Sequence, residues 1–370
     1  MPPDALEREI IANSWANEAK TLRELNLRDD KHIVRFITAF TKADVGSGKS
    51  YFLMFEWADG GSLERLFATK PNMTGDLVKR TMIQLLGLAE ALKTTHELGV
   101  RHGDIKPTNI LHFNPADNLV IGTLKIGDWG LAKCHTESTA RRRERGQHTK
   151  TRFGNLAYEP PEVELGKTQV LSRRYDIWSI GCVMFEILIW LLYGYEGLNT
   201  FRSDLQGGYY RATPWYVLVQ EEVDGKVQVK ARLQEAVEKW MDTVAEEAVC
   251  DTDYALGGLL VIIRRRLLIA ELPTKTWRVV FGDSQTDRQT EQRGAKLGAL
   301  NEAAHPSGGQ VRATSAVLVA LLGKEDSGIL DESNRPNDYW LRDLSQSVQV
   351  PNQRKEVPTY NTSSQSRQTC

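Results

Sequence analysis

Residues Val100 to Leu111 read VRHGDIKPTNIL, an aspartate, a lysine two positions on and an asparagine three beyond that, set between apolar stretches. The residue types suit phosphoryl transfer: Asp104 can accept a hydroxyl proton, Lys106 can steady a migrating phosphoryl group, and the Asn109 amide oxygen can hold a metal. Further along, Lys125 to Gly130, KIGDWG, puts a second carboxylate, Asp128, between a short apolar strand and a glycine turn. A magnesium ligand would sit there. Two loops are thus expected to converge on one site.

The order of three motifs carries a resemblance. His102-Gly103-Asp104, Asp128-Trp129-Gly130 and Tyr158-Glu159-Pro160-Pro161-Glu162 stand where eukaryotic protein kinases have HRD, DFG and the segment ending in APE. Each triplet alone is a common polar turn, but their succession resembles the larger lobe of a serine/threonine protein kinase. The resemblance implies an α+β, protein-kinase-like fold with a mainly helical large lobe and a truncated small lobe. It also implies ATP and Mg2+ as cofactors and a protein substrate. Asp104 would be the base, Lys106 the phosphate contact, and Asn109 and Asp128 the metal ligands. Glu56-Trp57-Ala58 would be the hinge that holds the nucleotide. Glu18, with Glu24 as the alternative on the same helix, matches the helix glutamate that pairs with the family's ATP-anchoring lysine, and His102 and Trp129 take structural or regulatory places. Asp176 would bond back to the catalytic loop, and Arg312 would pair with Glu162 in the interior. Serine/threonine specificity follows from Lys106, similar to the Asp-Ile-Lys-Pro pattern of those enzymes.

The chain also departs from the family pattern. Gly103 stands where an arginine often answers a phosphate on the activation segment, so less dependence on that switch is expected. Asn155 replaces a common threonine, although its amide can still donate. Upstream of Glu18 there is neither a GxGxxG loop nor a lysine-bearing strand. A truncated gene product, or a degenerate kinase acting as a pseudokinase scaffold, would both account for this. Aminoglycoside- and choline-type phosphotransferases share an HGD loop, a later asparagine and an Asp-Trp pair. They lack the pairing of Tyr158–Glu162 with Ser172–Gly181, SRRYDIWSIG.

With 370 residues, 41% hydrophobic, and a formal net charge of −1, the chain suits one large or two moderate globular units and no general nucleic-acid attraction. The first residues, MPPDALEREI, carry no secretory pattern. Four scattered cysteines form neither a disulfide ladder nor a metal-binding spacing. An intracellular setting, cytoplasmic or nuclear, is expected. Ile177–Tyr193 is apolar but shorter than a membrane span and contains Glu186, which points to a buried core helix and no membrane. Gly46-Ser47-Gly48-Lys49-Ser50 imitates a nucleotide loop, yet Ala43 occupies the position of the first glycine and a strand follows.

Periodicity predicts a helix over Asp4–Leu25, strands over His32–Phe40 and Tyr51–Trp57, and a helix capped by Thr74 running to Leu98. It further predicts a loop over Gly197–Asp224 and helices over Gln228–Ala248 and Leu256–Leu272, while Val311-Arg312-Ala313-Thr314-Ser315 resembles the family's final Arg-x-Thr step into a last helix, Ser315–Leu322. The expected domains are a partial small lobe over 1–57 and a large lobe over 58–330, with insertions around 195–250 and 273–310. A disordered tail would follow from 331 to 370. Ser138, Thr139, Thr149 and Thr151 are candidate phosphoacceptors beside the basic run Arg141–Arg145.

Overall fold

A computed structural model describes residues 5–44, 48–114, 121–130, 132–134, 156–165, 172–205, 214–223, 226–247, 250–251, 253–270, 312–323, 328–330 and 339–340. Helix α1 (Ala5–Asn26) buries Ala19, Leu22 and Leu25, which share one face because a helix turns every 3.6 residues. That face meets an antiparallel hairpin, β1 (Phe36–Asp44) and β2 (Gly48–Phe55), in which Phe40 opposes Phe52 and their rings stack 5.0 Å apart. The Asn26 amide fixes where β1 begins, donating to Phe36 O (2.5 Å) and accepting from Phe36 N (3.1 Å). Among the described residues no third strand joins this hairpin.

Beyond it come β3 (Gly61–Ser62), α2 (Leu63–Phe67) and the long α3 (Gly75–Glu97). Thr74 Oγ1 accepts from Leu77 N at 3.1 Å and so satisfies one of the bare N–H groups that open α3. Val78, Met82, Leu85, Ala89 and Leu92 form its buried stripe. Gly87 interrupts the stripe for a steric reason: a Cβ there would stand 2.1 Å from His32 Nε2. His32 in turn donates through Nδ1 to Leu124 O at 2.7 Å.

Short strands frame the catalytic-type loops. Strand β4 (Val100–Arg101) pairs with β7 (Lys133–Cys134), while β5 (Ile110–Phe113) lies between β3 and β6 (Thr123–Ile126). His112, expected to pack, is buried on β5 and accepts from Gly122 N through Nε2 at 3.1 Å. After α4 (Glu162–Leu165) comes α5 (Arg174–Leu205), the centre of the molecule. It is long and apolar enough to cross a membrane, but 94% of its apolar window is buried inside the fold, as a core helix requires. Gly194, at φ 67° and ψ −160°, breaks the helix into two arms.

Several expectations over the second half are corrected. The loop expected over Gly197–Asp224 is helix as far as Leu205, followed by β8 (Tyr216–Val223). The helix expected over Gln228–Ala248 is a strand, β9 (Lys226–Leu233), and then α6 (Glu235–Ala245). Val227, Val229, Ala231 and Leu233 alternate with polar residues, the period of a strand. The stretch around 195–250, expected as an insertion, contributes to the core. Phe201 packs edge-on against Trp215 (5.0 Å) and Trp240 (5.7 Å), and all three rings are buried. The helix expected to reach Leu272 is α7 (Ala255–Ile262), continued by a wide turn over Ile263–Leu267. The last helix, α8 (Ser315–Leu322), has the expected bounds and is capped by Thr314.

Within the tail expected to be disordered, residues 339 and 340 are described and are ordered against the body of the protein. Tyr339 is buried and donates to Ile329 O at 3.0 Å, and Trp340 lies under Lys79 of α3, 5.4 Å from ring centroid to Nζ. The expected insertion over 273–310, the candidate phosphoacceptors, the run Arg141–Arg145 and Asn155 lie outside the described residues.

Candidate active site

The site is anchored from beneath by Asp176, in the first turn of α5. Its carboxylate, 0% exposed, accepts from His102 N (2.9 Å) and Gly103 N (2.8 Å), and meets His96 Nε2 at 2.8 Å. Burial pushes this carboxyl up. Hydrogen bonding to His96, the two nearby imidazoles and the Gly103 amide outweigh that and hold it below the usual carboxylate range. Gly103 sits at φ 83°, the left-handed region that suits a residue without Cβ.

His102 joins the two loops. Its Nδ1 accepts from Asp104 N at 3.2 Å and its Nε2 lies 2.9 Å from Gly127 O, so the partners select the tautomer that donates from Nε2. Burial lowers its pKa and keeps the ring neutral. The Trp129 ring packs against it at 4.6 Å, and Gly127 N closes the bridge by donating to Asn109 O at 2.8 Å. Asp128 is therefore delivered to the same neighbourhood as Asp104 by the His102 ring and one backbone bond. Its own φ of 57° is unusual for a residue other than glycine.

Around Asp104 the polar groups are tightly arranged. Oδ2 accepts from Lys106 Nζ at 2.6 Å and from Asn109 Nδ2 at 2.9 Å, and the same Nδ2 reaches Asp104 O at 2.9 Å. Asp104 and Asn109 are buried, whereas Asp128 is exposed. With both donor contacts of the Asn109 amide nitrogen made to Asp104, its Oδ1 is the atom of that amide suited to a metal.

The remaining expected residues fall around this centre. Glu56 Oε1 accepts from Arg35 N and Lys125 Nζ, each at 2.7 Å, which braces the start of the expected hinge against β6. Trp57 is 86% exposed, and Ala58 O accepts from Gly61 N at 3.1 Å. Glu18, on α1, faces Gly130: a Cβ built there would stand 3.6 Å from Glu18 Oε2 and 3.4 Å from Asp128 Oδ1. Burial, and then the Asp128 charge, raise the pKa of Glu18. Among the described residues no cation pairs with it. Far below, Arg312 forks onto Glu162 at 2.6 and 3.2 Å and stacks 5.0 Å from the Trp178 ring centroid.

Three further elements escaped the sequence reading. Arg101, just before His102, is buried with its guanidinium 5.4 Å from the Tyr175 ring centroid. His96 connects Asp176 to Ser315 of α8, with Nδ1 3.0 Å from Ser315 Oγ. Glu186, buried on α5, holds the Tyr158 hydroxyl at 3.0 Å and Arg202 Nε at 2.8 Å. A charged residue in an otherwise apolar helix was the available signal for this last cluster.

Residues 4–243 match the family described as protein kinase domain. Serine/threonine-protein kinase RAD53 of Saccharomyces cerevisiae is 32% identical over 195 residues, covering 49% of this chain and 21% of that protein. Serine/threonine-protein kinase cds1 of Schizosaccharomyces pombe is 35% identical over 191 residues, covering 49% of this chain and 37% of that protein. A probable myosin light chain kinase of Dictyostelium discoideum is 34% identical over 142 residues, 38% of this chain and 26% of that protein. The chain spans well under half the length of these relatives. Since the match extends over more than half of the residues and includes both converging loops, the chain belongs to the protein kinase domain family.

Proposed function

We propose that this chain transfers the terminal phosphoryl group of ATP, with Mg2+, to serine or threonine hydroxyls of a protein substrate. The observation that supports this most is the clamp on Asp104, whose carboxylate is oriented by Lys106 and Asn109 while His102 ties its loop to the strand ending before Asp128. Two oxygen ligands, Asn109 Oδ1 and the exposed Asp128 carboxylate, suit Mg2+, which keeps water and phosphate oxygens in its other positions. When bound, the metal–nucleotide complex supplies the electrophilic phosphorus and neutralises charge on the phosphates.

The chain's own residues do the rest. Asp104 accepts the proton of the attacking hydroxyl, and its orientation is fixed before substrate arrives. Lys106, 2.6 Å from that carboxylate, supplies the positive charge on the side of the hydroxyl. Tyr158 to Leu165 forms the surface on which a peptide is laid, and the choice of serine or threonine is supported by Lys106 two positions after Asp104.

The test is phosphate transfer from labelled ATP to a general protein substrate. Asp104→Asn is expected to slow transfer by on the order of 10² to 10⁴ fold; an unchanged rate removes Asp104 from the mechanism. One observation favours a second reading, a nucleotide-independent scaffold: Glu18 and Asp128 flank Gly130 with no cation against Glu18 among the described residues. Thermal denaturation with millimolar ATP separates the two. A Mg2+-dependent rise in melting temperature supports the enzyme, and no shift together with no transfer supports the scaffold.

A further inference from the structure

The carboxylate of Glu186 is buried at the centre of α5, where an unpaired charge would be costly. Its side-chain partners are two, one from the segment before α4 and one from the second arm of α5. The Tyr158 hydroxyl donates to Oε2 (3.0 Å) and Oε1 (3.1 Å), and Arg202 Nε donates to Oε1 at 2.8 Å. The other two guanidinium nitrogens of Arg202 fork onto Glu64 of α2 at 2.7 and 2.8 Å, with the guanidinium 5.7 Å from the Phe67 ring centroid.

Arg202 lies sixteen positions after Glu186 on what is nominally the same helix. In a straight helix those positions would be about 24 Å apart along the axis. The left-handed break at Gly194 folds the second arm back and brings the guanidinium to the carboxylate. Arg202 thus spans a carboxylate under the peptide surface and one on the helix that follows the hinge.

We propose that Arg202 is a positioning residue for the peptide side of the site: it neutralises Glu186, so that Glu186 can hold the Tyr158 hydroxyl and keep Leu156–Leu165 seated on α5. Through Glu64 the same side chain fixes that seat relative to α2. The inference rests on the kinase reading for its effect on peptide binding, while the seating itself is a property of the fold.

The charge logic makes it testable. The titratable groups that face Glu186 are Tyr158, Arg202, Glu64 and the Cys182 thiol one turn back. Burial raises the Glu186 carboxyl, and Arg202 is the largest influence opposing that rise. Without Arg202, ionised Glu186 has a hydroxyl but no cation, and the segment bearing Tyr158 is expected to lift so that water reaches it. Removing the charge as well removes the reason to lift.

The experiment compares the parent with Arg202→Met, with Arg202→Met combined with Glu186→Gln, and with Tyr158→Phe. Amide hydrogen exchange is read over 156–165 and over the first arm of α5. Arg202→Met is expected to speed exchange over 156–165 about tenfold or more while the first arm of α5 stays protected. The double variant is expected to return toward the parent. In transfer assays the peptide KM of Arg202→Met rises about tenfold with the ATP KM unchanged, more at the alkaline end of the assay range than at the acid end. Tyr158→Phe keeps the ion pair and is expected to show the same split between peptide and ATP KM. The proposal is overturned by unchanged exchange over 156–165 in Arg202→Met, by a double variant no better than the single one, or by exchange that rises equally throughout α5. Should Arg202→Met not fold, a folded double variant supports the charge argument, and a double variant that also fails to fold overturns it. If the parent transfers no phosphate, the kinase reading fails, and the exchange results still decide the role of Arg202.

Discussion

Arg312 sits almost fully enclosed, with both terminal nitrogens bonded to Glu162 and further contacts to Arg174 O and Ile269 O. Arg312→Ala strands a buried carboxylate and is expected to cost about 3 to 5 kcal/mol, read from the denaturant midpoint; a curve equal to the parent's would contradict the pairing as a structural support. Gly87→Ala is a steric test. A methyl 2.1 Å from His32 Nε2 must displace a ring bonded to Leu124 O, so a loss of about 1 to 3 kcal/mol is expected in the same measurement. At this scale the motif residues were legible because their types and spacings are set by chemistry. Asp104, Lys106, Asn109 and Asp128 could be named from two short runs. The pairing of Arg312 with Glu162, 150 positions apart, was visible only through resemblance, since no local pattern carries it. The Glu186–Arg202 bond was not legible at all, because Arg202 fell in a stretch read as loop and nothing local ties it to the buried helix.

That bond depends on a single bend in α5, and helix bends have local causes. Gly194 adopts a combination of φ and ψ that is nearly exclusive to glycine, so Gly194→Ala is expected to destabilise by about 1 to 3 kcal/mol in thermal or chemical unfolding. A variant as stable as the parent would mean that the bend can be reached another way. Two elements were legible from the residues alone, α3 by its apolar stripe and its cap at Thr74 and the first arm of α5 by its unbroken apolar run, and α8 through resemblance. The β8–β9 hairpin was not, because Lys226–Leu233 runs into α6 without a proline or glycine between them. An alternating run abutting an amphipathic helix reads as one long helix when the change of period goes unnoticed. The burial of Phe201, Trp215 and Trp240 in one cluster was hidden for a different reason. Aromatic residues in a stretch without clear periodicity look like loop until their partners are known.

Across the whole molecule, several buried groups titrate in opposite senses. His102, His32 and His112 are all held below the ordinary imidazole value of 6.5, with burial the largest cause in each. A group with a depressed folded pKa binds fewer protons folded than unfolded, so the stability it contributes is lost as pH falls through 6.5. Asp176 acts in the same direction at lower pH, from its ordinary 3.8 downward. Glu18 and Glu186 are raised above 4.5 and oppose this, since acidification relieves the cost of keeping them ionised. The urea midpoint is therefore expected to fall between about pH 7 and about pH 5, and Glu186→Gln is expected to make the fall steeper. A midpoint that rises on acidification over that range would show that the carboxyls dominate. The return of Tyr339 and Trp340 onto the body of the protein bears on how the polypeptide can be handled. Tyr339 O accepts from Ala255 N at 3.1 Å, and Trp340 covers Lys79. A fragment cut after residue 330, where the composition turns polar, would bare the ground between α3 and α7, and a stop placed beyond Trp340 would leave it sheathed.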